Sequence, residues 1–333
     1  MKYRPLGTTN LQISEVGFGV WTVATNWWGK IDEGDGVKLL VKALDRGVNF
    51  FDTSDAYGDG YGEEILAKAL NTQRHNIVIG TKFGYDIDSS VVREGHQERP
   101  QSFAPDFIRS ACEKSLRRLR TDYIDLYQLH NPRIDVIHED ETFAALDELV
   151  KEGKVRYYGV ALGPDIGWFE EGEASMRLRK TPSLQIIYSI LEQEPAKRFF
   201  PIAEEEQTGL VTRVPHASGL LDGTYSRDTV IEATDHRSHR RKEWLEDGLK
   251  KVERLDFLID ALRSTIGQMA IQYALAAPMV ASVLPNITNL PQLEEFAAAP
   301  ETEEIPPELI DRLSQLYDDV FALEDAPEAS TAS

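Results

Sequence analysis

A chain of 333 residues can bury a substantial core, and 41% hydrophobic with 28% charged residues is ordinary for a globular protein. A balance of 36 Lys and Arg against 56 Asp and Glu gives a net charge of −20, which argues against nucleic-acid or anionic-membrane partners. No run approaches the roughly 18 apolar residues of a membrane span, residues 1–10 carry no apolar signal core, and the single cysteine, Cys112, excludes an intramolecular disulfide, so a reducing, cytoplasmic compartment is expected.

Residues 3–19 set Leu11, Ile13 and Val16 about a Thr-Asn turn signal, predicting a hairpin that leads into a first strand near residues 16–20. Trp21, Trp27, Trp28 and Gly29 then read as a loop forming a cleft wall. Val37, Leu40, Val41 and Leu44 recur at helical spacing over residues 35–46, and Gly47 follows as a C-terminal cap. Residues 49–52 form an apolar run ending in Asp52, and a polar turn with Asp55, Tyr57 and Gly58 succeeds it. That is the pattern of a buried strand delivering side chains to a cleft. After a helix over 62–70, the strand at 77–84 presents Lys82 in the same way.

A polar loop over 85–103 precedes a helix over 105–120, signalled by Pro105 and Asp106, in which Cys112 reads as a packed thiol. The strand at 124–129 presents His130. Strands at 155–162, 184–188 and 210–214 alternate with helical stretches at 141–152, 166–179 and 196–207. A charged loop over 227–254 interrupts the pattern. Helices at 255–262 and 268–276, a strand at 280–284 and helices at 290–298 and 307–321 close the chain, and residues 324–333 are expected to be a disordered tail.

Eight strands separated by helices imply parallel pairing. With no linker-like break, they predict one (β/α)8 TIM barrel over residues 1–323, with an N-terminal β-hairpin and an extra C-terminal helix, and a site at the C-terminal ends of the strands. Gly17-Phe18-Gly19 lacks the further glycine of a dinucleotide-binding turn, and there is no P-loop, nucleophile elbow or zinc signature.

Asp52, Tyr57, Lys82 and His130 fall at three successive strand ends. A tyrosine, with an ordinary pKa near 10, is a poor proton carrier near neutrality unless a neighbouring ammonium lowers it. Lys82 can supply that charge, Asp52 can keep Lys82 charged, and His130 can donate to a carbonyl oxygen.

Over nearly its whole length the chain resembles the aldo-keto reductase family. The matching stretches are YRPLGTTNLQISEVGFG, ALDRGVNFFDTSDAYG, VIGTKFG, DYIDLYQLHNP, GKVRYYGV and VPHASGLLDGTY. The resemblance implies hydride transfer from NADP(H) or NAD(H) to an aldehyde or ketone without a metal. It makes Tyr57 the proton donor, tuned by Lys82 and Asp52, with His130 orienting the carbonyl. It also assigns Gln185 to the nicotinamide carboxamide, Arg213 to the ring face, and Ser218, Gly219 and Leu220 to the pyrophosphate. Asn286, Thr288 and Glu295 fall at the adenosine end. Trp21, Trp28 and Tyr85 are expected to shape a pocket for a small carbonyl or sugar-like substrate.

The sequence departs from the family at three places. Ala161-Leu162 replace a Ser-Asn pair that holds the carboxamide, Asn286-Ile287-Thr288 replace a Gly-small-base triplet, and Phe296 stands where an asparagine meets the adenine. Without a base at Thr288 a 2′-phosphate lacks its cation, so these residues favour NAD(H) and family habit NADP(H). Two other readings use the same residues: a nucleotide-binding regulatory subunit like the potassium-channel β-subunits, and a barrel lyase or isomerase with weakened cofactor binding. His236 and His239, in a basic run over 235–242, read as part of a solvated loop or as a cover whose bases meet the cofactor phosphate.

Overall fold

The structure, a computed structural model, describes residues 1–26, 28–89, 98–163, 168–230 and 242–321. Strands β1 (Tyr3–Pro5) and β2 (Gln12–Ser14) form the expected antiparallel hairpin, in register Tyr3 to Ser14. Gly7 turns it at φ 52°, and a Cβ there would lie 2.3 Å from the Pro182 carbonyl, so the hairpin seats directly on the barrel backbone.

Eight parallel strands follow in sequential order: β3 (Phe18–Gly19), β4 (Phe50–Asp52), β5 (Val78–Phe83), β6 (Ile124–His130), β7 (Val155–Ala161), β8 (Ser183–Ile187), β9 (Gly209–Arg213) and β10 (Val280–Leu284). Val16 bridges Val283, with the Gly17 amide donating to the Val283 carbonyl at 2.9 Å and the Val283 amide to the Glu15 carbonyl at 2.8 Å. Those contacts join the last strand to the first and close the barrel, as the alternation of the sequence predicts.

The helices are α1 (Trp21–Ala24), α2 (Glu33–Asp45), α3 (Tyr61–Leu70), α4 (Pro105–Leu119), α5 (Ile134–His138), α6 (Asp140–Lys151), α7 (Trp168–Arg177), α8 (Ala196–Glu206), α9 (Lys242–Glu253), α10 (Asp256–Ala261), α11 (Ile266–Leu275), α12 (Leu290–Ala298) and α13 (Pro307–Leu316). Gly47 follows α2 at φ 87°, the left-handed conformation its position predicts. Cys112 is fully buried in α4, and burial pushes its thiol up to about 12, so it is a packing residue.

Three expectations are corrected. Trp21 lies in a helical turn rather than a loop, and all four residues of that turn, Trp21–Ala24, are buried. The charged segment 227–254 contains α9, whose buried Leu245 and Gly248 and half-buried Leu249 and Val252 recur at helical spacing beneath a dense charged face. The last helix ends at Leu316 and passes into a single wide turn over Tyr317–Phe321. The tail expected at 324–333, Trp27 and the His236–His239 run lie outside the described residues.

Candidate active site

The register of the barrel decides which side chains meet. Asp52 pairs with Gly19 and Gly80, Lys82 with Gln128, and His130 with Ala161, which in turn pairs with Gln185. Gly80 leaves room where it is needed: a Cβ there would come within 3.4 Å of both Asp52 Oδ2 and Gln128 Nε2.

Asp52 and Lys82 are buried, at 0% and 1% exposure, and form a direct ion pair. The second oxygen of Asp52 accepts from Gln128 Nε2 at 3.0 Å and Gln185 Nε2 at 2.9 Å. Lys82 Nζ also donates to the Thr53 carbonyl at 2.9 Å and lies 3.3 Å from the Tyr57 hydroxyl. Every polar arm of this buried pair is therefore met, the condition under which such a pair persists. Burial draws the Lys82 pKa down, but Asp52 and then Tyr57 outweigh it, and the amine stays charged.

Tyr57 departs from the sequence expectation. Burial raises its hydroxyl above the ordinary tyrosine value, and the lowering by Lys82 is partly offset by Asp52. At rest the phenol is thus protonated, and Lys82 acts by making its loss of a proton less costly. His130 is pushed well below its usual range by burial and by the charges of Lys82 and Arg213, so its imidazole is neutral.

Tyr57 and His130 form one wall of a cavity of about 620 Å³, their rings edge to face at 6.0 Å. Trp21 and Trp28 line the same space, as does Trp168. Tyr85 stands one layer back: it packs edge-on against His130 at 4.9 Å while its hydroxyl accepts from Asn131 at 2.7 Å. Gln185, Arg213, Ser218 and Asn286 line the opposite wall. Arg213 is tied across the mouth by a 2.9 Å bond to the Leu162 carbonyl. Val214, a β-branched residue, holds φ 60° beside it, and Ala217 and Ser218 follow at 46° and 60°, a strained run of the sort that marks a functional loop.

The remaining sequence-assigned residues sit elsewhere. The Gly219 amide donates to His216 at 2.9 Å and the Leu220 amide to Ala217 at 3.3 Å, so both are engaged within their own turn. Asn286 lines the cavity, but its Oδ1 accepts from the Trp21 indole N–H at 2.9 Å. Thr288 donates through its amide and its hydroxyl to Gln292 Oε1, at 3.0 and 2.8 Å. Glu295 accepts from the Thr265 hydroxyl and, through its carbonyl, from Gln268 at 3.0 Å, which pins the start of α11. Phe296 is fully buried against His216, with ring centroids 4.4 Å apart, and is a core residue.

Sequence reading passed over Gln128, although a glutamine inside the apolar run IDLYQLH was a visible signal, and Trp168, which no local pattern marks. It passed over Ser54 as well, whose Oγ lies 3.2 Å from His130 Nδ1.

The donor set on the Gln185 side fits the nicotinamide half of a dinucleotide: amide, guanidinium and hydroxyl groups converge beside the aromatic wall. Among the described residues, no helix is long and apolar enough to cross a membrane. The Aldo/keto reductase family model matches residues 15–318. An uncharacterized oxidoreductase of Bacillus subtilis (strain 168), YqkF, is 31% identical over 96% of this chain and 98% of its own length. The NADH-specific methylglyoxal reductase of Escherichia coli (strain K12) is 30% identical over 90% and 93%. The holo form of an aldo-keto reductase of Bacillus halodurans superposes with a TM-score of 0.75 at 31% identity, covering 95% of this chain and 96% of that one. The chain belongs to the aldo/keto reductase family, whose members pass hydride between a nicotinamide cofactor and a carbonyl carbon.

Proposed function

We propose that this protein is an NAD(H)-preferring reductase of small aldehydes and ketones in which Tyr57 carries the proton. The observation that carries the reading is the position of Lys82 Nζ, bound to Asp52 and 3.3 Å from the Tyr57 hydroxyl at the cavity wall.

A carbonyl oxygen seated between Tyr57 and His130 accepts from both. A nicotinamide cofactor held on the Gln185 and Arg213 side would supply hydride to the carbonyl carbon. Tyr57 gives its proton to the oxygen, and the Lys82 ammonium, held charged by Asp52, stabilises the phenolate left behind. The aromatic walls of Trp21, Trp28 and Trp168 exclude water and accept a small apolar or hydroxylated substrate. The choice of NAD(H) rests on Thr288, a neutral side chain bonded to Gln292 where a 2′-phosphate wants a cation. The NADH-specific methylglyoxal reductase among the relatives supports both the cofactor and the substrate size.

Titration with NADH and with NADPH, followed by nicotinamide fluorescence, and then turnover on a panel of aldehydes, ketones and keto-sugars tests the proposal. NADH should bind more tightly. Tyr57→Phe should lower turnover roughly 10²–10⁴-fold with cofactor affinity little changed. Turnover undiminished in that variant would refute the assigned acid.

A further inference from the structure

A hydroxyl group has one proton to give and two lone pairs to receive with. The fully buried Ser54 hydroxyl has three polar neighbours: the Ala56 amide at 3.1 Å, Asp55 Oδ1 at 3.3 Å and His130 Nδ1 at 3.2 Å. The Ala56 amide is a donor and occupies one lone pair. One lone pair and the proton remain for Asp55 and His130, so their roles are coupled. If Asp55 donates, His130 Nδ1 accepts. If Asp55 accepts, His130 Nδ1 has to donate, and its only proton is then spent away from the cavity.

The surroundings of Asp55 decide between the two. It is 2% exposed. From α3 it faces Glu63, which accepts from the Thr81 hydroxyl at 2.6 Å and pairs with Arg118 of α4 at 2.6 Å. Arg118 is thus committed to Glu63, and Tyr127 of β6 is kept neutral by burial. Burial first, and the Glu63 charge second, raise the Asp55 carboxyl well above the ordinary range against the opposing pull of Arg118, of the Ser54 hydroxyl and of the Ala56 amide, and so favour its protonated form.

We propose that Asp55 and Ser54 are positioning residues that fix the tautomer of His130. The Asp55 carboxyl donates to Ser54 Oγ, Ser54 donates to His130 Nδ1, and the single N–H of the neutral ring is left at Nε2 to meet the carbonyl oxygen. The other tautomer would turn a lone pair toward that oxygen and repel it. This rests on the carbonyl-reductase reading of the site, but it concerns a proton position that exists before substrate or cofactor binds.

The test is nitrogen NMR of the full-length protein labelled at histidine, with the His130 signals assigned by difference from His130→Gln. The wild type should show the proton on Nε2. Ser54→Ala and Asp55→Ala should each lose that preference and lower kcat roughly 10–100-fold, by analogy with the loss of a hydrogen-bond partner behind a metal-ligating histidine. The KM for cofactor should not move. Asp55→Asn, whose amide still donates to Ser54, should recover most of the loss. A proton found on Nδ1 of the wild type overturns the proposal without any variant having to fold. An Asp55→Ala protein with the tautomer unchanged overturns it as well. Because the tautomer is read without turnover, a protein with Nε2–H and no reductase activity would sink the function and leave this inference standing, whereas an active enzyme with Nδ1–H would sink this inference alone.

Discussion

The two sides of the barrel mouth are built on different terms. On the β4–β6 side, Asp52, Lys82, Tyr57 and His130 are locked to one another and to Gln128, Thr53 and Ser54, with no ligand required to hold them. On the β7–β10 side, Ala161 and Leu162 line the cavity without a hydrogen-bonding side chain, and Arg213 reaches across to a backbone carbonyl. The first side is preorganised, as proton transfer demands. The second is less tightly tied: Arg213 bonds a backbone carbonyl and Asn286 the Trp21 indole. Within one fold, the residues proposed to move the proton are more tightly constrained than those proposed to hold the cofactor.

The contrast can be broken most severely at Asp52. Asp52→Ala removes the acceptor of three donors and leaves the Lys82 ammonium buried without its carboxylate. Unfolding free energy from urea denaturation should fall by about 3–5 kcal/mol, and turnover should fall with it. A loss within the error of the measurement would mean that this side is no more constrained than the other. Changes on the β7–β10 side should alter affinity and spare the fold. Thr288→Arg should raise the affinity for NADPH relative to NADH by about 10–100-fold, the worth of one charge-assisted bond, read by fluorescence titration. No change in that ratio would remove Thr288 from the account of cofactor choice. The smallest effect is expected from Leu162→Asn, which returns one neutral hydrogen-bonding side chain. Cofactor affinity should rise only about two- to fivefold, because the leucine methyl that packs near Gly172 is lost. A gain as large as that from Thr288→Arg would show that the carboxamide, not the phosphate, limits binding.

What could be read from the chain follows the same division. Asp52, Lys82 and His130 were legible because each polar group ends an apolar strand, and period and polarity are local signals. Their mutual geometry followed once the strand count implied a barrel. The direction of the Tyr57 shift was not legible, since it depends on how deeply the ring is buried as well as on the ammonium beside it. Ser54 escaped notice for another reason: it meets His130 across 76 residues of chain, and nothing near either residue announces the partner. Helix α9 was hidden by its charge, since the apolar stripe is narrow and Lys and Glu crowd its exposed face. Thr288, Glu295 and Phe296 were placed by family resemblance alone. The structure ties Thr288 to the first turn of α12 and Glu295 to the start of α11, and places Phe296 in the core.

The bond between the Trp21 indole and Asn286 joins residues 265 positions apart. It crosses the seam where the last strand meets the first, and it forms part of the cavity wall. Asp52, Lys82 and His130 are all synthesised before the chain is half made, yet the pocket they serve has no far wall until β10 arrives. A nascent or truncated chain ending before Val280 therefore carries the reactive groups without an enclosed place for them to act. The cavity wall is thus complete only when the last strand and Asn286 behind it are in place.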